Sequence, residues 1–138
     1  MKDYPLVVVI TPVHNNKEDT QEFLECLKSV TYPNYKVIIV DDGSTDGTEQ
    51  MLRQEYPDVT VLKGDGNLWW SGAINMGAKH ALGEMKAEYL LLWNNDIQFS
   101  ENYFDNLASI YLGAAAPSPV NMLPQFPCVS TSRLFCPS

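Results

Sequence analysis

Basic residues are scarce in this chain: nine Lys and Arg stand against seventeen Asp and Glu, a formal net charge of -8 at pH 7. So acidic a protein is a poor partner for the phosphate backbone of a nucleic acid or for an anionic membrane surface. Cysteine is scarce too. Cys26, Cys128 and Cys136 are odd in number and form no CxxC pair, so neither a zinc site nor a disulfide framework is encoded. A reducing cytoplasm, in solution or peripheral to a membrane, is the expected location. His14 and His80 are the only two histidines. His80 has no partner at metal-ligand spacing, and a lone loop histidine such as His14 is most simply a solvated side chain. No apolar run approaches transmembrane length, and the one near the N-terminus is far shorter than the core of a signal peptide. No GxGxxG follows it either, which removes the main support for a dinucleotide-binding dehydrogenase.

What is present suits one domain. With 138 residues, 45% of them hydrophobic, the chain is long enough to bury about two-thirds of its unfolded surface. Its centre is Val37 to Thr48, VIIVDDGSTDGT. The β-branched run Val37 to Val40 has the composition of a strand covered on both faces, as in a parallel sheet. In open α/β sheets ligands bind beyond the carboxyl ends of the strands, so Asp41 and Asp42 stand where a ligand is met. Gly43 to Thr48 supplies turn and helix-capping chemistry, and a helix to about Tyr56 follows, stopped by Pro57.

The rest of the chain repeats this alternation. Leu6 to Ile10 is a first buried strand, closed by the loop Thr11 to Asn16. Phe23, Leu24, Leu27 and Val30 fall at helical spacing within Lys17 to Val30, with Glu18 and Asp19 in the first turn. Val59 to Leu62 is a third strand. A glycine-punctuated loop, KGDGNLWW, then leads into a helix of small residues from Ser71 to Leu82, suited to close packing or to approach by a ligand. Trp69 and Trp70 suit stacking on a base or sugar, and equally suit packing at a loop-to-helix junction. Glu88 to Trp93 is a fourth strand, ending in Asn94, Asn95 and Asp96, and Ser100 caps a helix over Glu101 to Leu112. Such alternation predicts right-handed βαβ units and an α/β fold with an open, mostly parallel four-stranded sheet flanked by helices. After Leu112 the character changes. Residues 113–138 carry five of the nine prolines, two of the three cysteines and one charged residue, Arg133, without helical or strand periodicity, and an irregular tail is expected there. Paired acids on a parallel sheet also suit a response-regulator receiver. That fold needs them after the first strand, and a further aspartate after the third, where Lys63 and Gly64 stand.

Four segments in order, VVVITPVHN, VIIVDDGSTDGT, GNLWWSGAINMGAKHA and YLLLWNNDI, resemble the nucleotide-sugar-binding half of a family-two glycosyltransferase of the GT-A fold, most closely its rhamnosyltransferase-type members. The resemblance covers roughly residues 5 to 112. It implies a nucleoside-diphosphate sugar, UDP- or dTDP-linked, held by Pro12, Asn15, Asp41, Asp42, Gly66, Asn75 and Asn95. The family's DxD-type metal motif falls on Asn94, Asn95 and Asp96, with asparagine in place of the first aspartate, so Asp96 is the expected ligand of Mg2+ or Mn2+. Transfer of the sugar with inversion to an acceptor hydroxyl, on a glycan or a lipid-linked sugar, is the implied reaction. The family takes its general base from a later segment, and residues 113–138 hold no Asp, Glu or His. The expectation is therefore a GT-A half-domain over residues 1–112 with a truncated or frame-shifted tail, or else a non-catalytic nucleotide-binding module. In the GT-A arrangement the strand 88–93 is interior. Without later strands its edge stays open, and a homo-oligomer built across that edge, or a tail folded over it, is expected.

Overall fold

The computed structural model of the chain describes residues 4–97 and 99–112, with side chains through residue 107. The expected irregular tail, 113–138, lies outside the described residues. Eight elements alternate in order: β1 (Val7–Val13), α1 (Lys17–Lys28), β2 (Tyr35–Asp41), α2 (Thr48–Glu55), β3 (Thr60–Lys63), α3 (Trp69–Gly83), β4 (Tyr89–Leu92) and α4 (Tyr103–Leu112). They fall into two compact units, residues 4–21 with 33–97 and residues 22–32 with 99–112.

The first unit holds the sheet. Its strand order is β3-β2-β1-β4, and every neighbouring pair is parallel, with Val9 opposite Val37 on one side and Leu91 on the other. The α/β architecture expected from the sequence is the one observed. Val37 to Val40 are buried, as a strand covered on both faces requires. Val8, Ile10, Ile38 and Val40 alternate onto one face, where they meet Ala73, Ile74 and Ala81 of α3. That contact is close because Gly77 faces the sheet. A Cβ there would strike Ile10 Cγ2 and come within 3.3 Å of Val40 Cγ2. The small residues of α3 thus serve packing at this position.

The end of β1 differs from the sequence reading for an identifiable reason. β1 runs on through Pro12 to Val13 instead of ending at Ile10. In a strand the N–H and C=O of one residue point to the same side, and the Ile10 carbonyl accepts from Trp93 on the β4 side. Pro12, two residues on, also faces the β4 side. The β4 register ends at Leu92 opposite Ile10, so the N–H that Pro12 lacks removes no ladder bond. Helix ends differ by two residues as well: α1 stops at Lys28 instead of Val30, α3 begins at Trp69 instead of Ser71, and α4 at Tyr103 instead of Glu101.

The second unit is built on aromatic packing. Phe23 and Phe99 meet edge to face at 6.1 Å between centroids, and Tyr32 meets Phe104 at 6.2 Å. Phe23, Leu24 and Leu27 are buried, as their helical spacing predicts, and so is Cys26, whereas Val30 lies beyond the end of α1 and is half-buried. The Thr31 hydroxyl donates to the Asp105 carboxylate at 2.6 Å. Ser100 does not cap α4 with its side chain as expected, because its hydroxyl donates to Asn102 Oδ1 at 2.8 Å. No helix among the described residues is long and apolar enough to cross a membrane.

Candidate functional site

Parallel strands deliver their carboxyl ends to one rim, and on that rim Asp42 is the hub. Its own amide donates to the Val13 carbonyl at 2.8 Å, continuing the β1–β2 ladder by one bond. Its side chain, on a residue only 7% exposed, accepts three backbone amides from the loop after β3. Oδ1 takes Gly66 N at 2.8 Å, and Oδ2 takes Leu68 N at 2.9 Å and Trp69 N at 3.1 Å. Leu68 is the N-cap of α3 and offers no side-chain cap. Asp42 therefore caps α3 from another segment, placing a negative charge where the helix dipole is positive.

Glycine makes this approach feasible. A Cβ on Gly64 would collide with Asp42 Oδ1 and lie 2.7 Å from Leu68 Cδ1, and one on Gly43, at φ +81°, would lie 3.1 Å from Gly66 Cα. The DDGS loop and the loop after β3 touch backbone to backbone. Trp69 leaves that loop at φ +54°, a left-handed conformation that is costly for a bulky residue. It is 79% exposed and Trp70 is 51% exposed, so neither is a core residue. Trp70 is nonetheless held, since its Nε1 donates to Asn94 Oδ1 at 2.8 Å.

A second network joins β1 to the DDGS loop. Buried Asp41 accepts Ser44 N through Oδ1 at 2.9 Å, and the Ser44 hydroxyl accepts Asn15 N at 2.7 Å. Asn15 Oδ1 accepts Thr45 N at 2.8 Å. Asn15 and Asn16 both lie in the left-handed region, at φ +59° and +58°, where asparagine is among the tolerated residues. His14 Nδ1 lies 2.6 Å from the Asp42 carbonyl; a carbonyl only accepts, so this nitrogen carries the proton. Asp46 receives Lys17 N at 2.9 Å and Thr48 N at 3.1 Å, together with the Thr48 hydroxyl, and so caps α1 and α2 at once. Burial pushes its carboxyl up, but the bonds from the Thr48 hydroxyl and the two amides outweigh that and hold it below the usual carboxylate range.

The last contribution comes from the turn after β4. Asn95 Nδ2 donates to the Thr20 hydroxyl at 3.0 Å, which itself donates to the Asn16 carbonyl at 3.0 Å. Asp96 is exposed on the same turn. The structure thus brings Asn15, Asp41, Asp42, Gly66 and Asn95 into three hydrogen-bonded sets at the strand ends, with Pro12 half-buried near the end of β1. Asn75 lies six residues into α3, about 9 Å along its axis from Trp69, and is exposed. Among the described residues no hydrogen bond ties Asn75 or Asp96 to these networks, and no group of three His, Cys, Asp or Glu side chains converges on a metal-sized point. The sequence reading placed Ser44 and Asp46 in a capping loop but missed their bonds to Asn15 and Lys17 and the bond from Trp70 to Asn94. The Asp-Gly-Thr order around Asp46 was a usable capping signal, whereas a bond between side chains 24 residues apart leaves none.

Comparison with known proteins agrees with this geometry. The profile of glycosyl transferase family 2 matches residues 8–112. The chain is 38% identical over 88 residues to glycosyltransferase AglE of Haloferax volcanii, covering 60% of this chain and 29% of that protein. It is 31% identical over 131 residues to the N-acetylglucosaminyl-diphospho-decaprenol L-rhamnosyltransferase of Mycobacterium tuberculosis, covering 87% of this chain and 42% of that enzyme. It therefore spans less than half the length of these relatives. Among solved structures, the mannosyltransferase PcManGT from Pyrobaculum calidifontis in complex with GDP-Man and Mn2+ superposes with a TM-score of 0.64 at 26% identity, over 72% of this chain and 30% of that one. S. aureus TarS 1-349 in complex with UDP-GlcNAc gives 0.61 at 25% identity, over 75% and 30%. A matched profile running from β1 through α4, on a parallel sheet whose strand ends carry the paired acids and the Asn-Asn-Asp turn, leads to one conclusion: the chain belongs to glycosyl transferase family 2.

Proposed function

We propose that the rim formed by Asp42, Asn15, Gly66 and Asp96 binds a nucleoside-diphosphate sugar, UDP- or dTDP-linked, together with Mg2+ or Mn2+. In this reading the chain serves transfer of a hexosyl or rhamnosyl group, with inversion, to an acceptor hydroxyl in the cytoplasm. The observation that carries the reading is the meeting of the Asp41–Asp42 loop, the Gly64–Trp69 loop and the Asn94–Asp96 turn at the carboxyl ends of the strands. The complex of PcManGT with GDP-Man and Mn2+ supports it.

The carboxylate of Asp42 has about four lone-pair directions. Three are taken by the amides of Gly66, Leu68 and Trp69, which leaves one for a ribose hydroxyl or base N–H. Gly66, exposed at φ +89° with no atom within 4 Å of a Cβ position, leaves its surroundings open to the nucleoside. The metal fits the donor set as a shared ion. A single exposed carboxylate, Asp96, is a hard oxygen donor, and Mg2+ typically binds one or two protein carboxylates and fills its shell with phosphate and water oxygens. When bound, the ion neutralises charge on the departing diphosphate. Asp96→Ala removes that ligand. Calorimetry should show the metal-dependent gain in UDP affinity falling about tenfold or more, with metal-free affinity unchanged; metal dependence surviving intact contradicts the assignment.

The same reading includes association. Among the described residues the outer edge of β4 pairs with no strand, and Tyr89 and Leu92 are exposed along it. Such an edge offers unpaired amides and carbonyls to another strand, and we assign it to a second copy of the chain. Light scattering across a concentration series should give a mass above that of one chain. A monomer at every concentration removes this part of the proposal.

A further inference from the structure

We infer that Trp70 is a positioning residue for the metal-binding turn, an inference that rests on the reading of Asp96 given above. Trp70 is half-exposed, so its ring is not a core anchor. Its polar atom is fully engaged, with Nε1 donating to Asn94 Oδ1 at 2.8 Å. Asn94 stands two residues before Asp96, on a turn whose other described side-chain tie is the bond from Asn95 to Thr20. These two ties come from different helices, Trp70 from the start of α3 and Thr20 from the first turn of α1. Together they hold the two residues that precede Asp96, so its carboxylate is presented from a held backbone.

The position of Trp70 is itself set by Asp42. The carboxylate takes the amides of Leu68 and Trp69, the two residues preceding it, and Trp69 is held at φ +54° as the helix begins. A left-handed residue at this point turns the chain sharply between the Asp42 contact and the indole. A continuous run of bonds therefore connects the acid after β2 to the acid after β4: Asp42 to the α3 start, Trp70 to Asn94, and Asn94 to Asp96 through two peptide units. The acids assigned to the nucleoside and to the metal are thereby held in one frame.

The test uses the full chain, UDP and Mn2+. Trp70→Phe keeps the ring and deletes the donor, and Asn94→Ala deletes the acceptor from an exposed turn, so the same bond is removed from either side. Each should raise the Mn2+ concentration needed for half-maximal enhancement of UDP binding by about two- to tenfold, the value of one hydrogen bond. Metal-free UDP affinity should stay at the wild-type value, and the melting temperature should fall by no more than the few degrees that one hydrogen bond is worth. The double variant should be no worse than either single one. In the free protein, amide exchange at residues 93 to 97 should quicken in both variants. Trp69→Phe, which alters a side chain with no described bond, should leave the Mn2+ requirement alone. An unchanged Mn2+ requirement in Trp70→Phe overturns the inference, as does an equal loss of UDP affinity with and without metal. If the wild-type chain binds UDP with no Mn2+ dependence, the reading of Asp96 fails first and the inference falls with it.

Discussion

Asp42→Ala should cost the fold about 2–4 kcal/mol, measured as a drop in the free energy of urea unfolding. The estimate follows from what the carboxylate does in the free protein. Three backbone amides lose a charged acceptor, and hydrogen bonds to charged groups contribute about 1.5–3 kcal/mol each. Water can reach Gly66 and Trp69, both exposed, and recovers part of that loss. α3 also loses the carboxylate that caps its N-terminus, its own first turn containing no acid, a further contribution of about 0.5–1 kcal/mol. Asp42→Asn should fall between wild type and alanine, because one amide oxygen still accepts while the NH2 group faces donors. UDP affinity should fall about five- to a hundredfold in Asp42→Ala, from the lost contact and from the released loop. A change in unfolding free energy below about 0.5 kcal/mol would show that the three bonds are replaced by water without cost.

The second large effect lies in the core. Gly77→Ala places a methyl against Ile10 Cγ2, a branched group on a fully buried residue of the central strand. Ile10 is fully buried and its Cγ2 branches from a stiff Cβ, so α3 must shift from the sheet, at about 1–3 kcal/mol for overpacking. Helix propensity works the other way, favouring alanine by about 1 kcal/mol, and the clash should win. Gly83→Ala is the control. It lies on the same helix with nothing within 4 Å of its Cβ position and should be neutral or slightly stabilising. If Gly77→Ala matches Gly83→Ala in thermal unfolding, the close packing of α3 on β1 is not as described.

These two positions also mark what a single sequence discloses. The strands were legible because Val37 to Val40 and Leu6 to Ile10 are uninterrupted aliphatic runs, and helices separated them at regular intervals. Pro12 misled the boundary of β1, since a proline is compatible with a strand when its missing N–H faces a side without a partner, and periodicity does not record which side that is. Gly77 could be read as a packing glycine or a ligand-approach glycine until Ile10 was seen against it. For Asp42 the sequence showed a carboxylate at a strand end, which is a position for ligand contact. It did not show the three amides of Gly66, Leu68 and Trp69, because a bond to a backbone 24 to 27 residues away leaves no mark on residue type. The tryptophans were ambiguous for the same reason. Their exposure, and the bond from Trp70 to Asn94, are properties of the folded rim. Asp46 was closer to legible, since an acid two residues before Thr48 at a helix start is capping chemistry, although its bond to Lys17 of a different helix was not.

The central claim is that the rim at the strand ends is a donor site in which nucleotide and metal bind together. Calorimetric titration of the chain with UDP and with dTDP, each in the presence and absence of Mn2+, tests it most directly. Saturable binding of one of the two is expected, tightened by about tenfold or more when Mn2+ is present, and weakened in the metal-dependent part alone by Asp96→Ala. Absence of heat for both nucleotides with Mn2+ present, or binding indifferent to the metal, would contradict it.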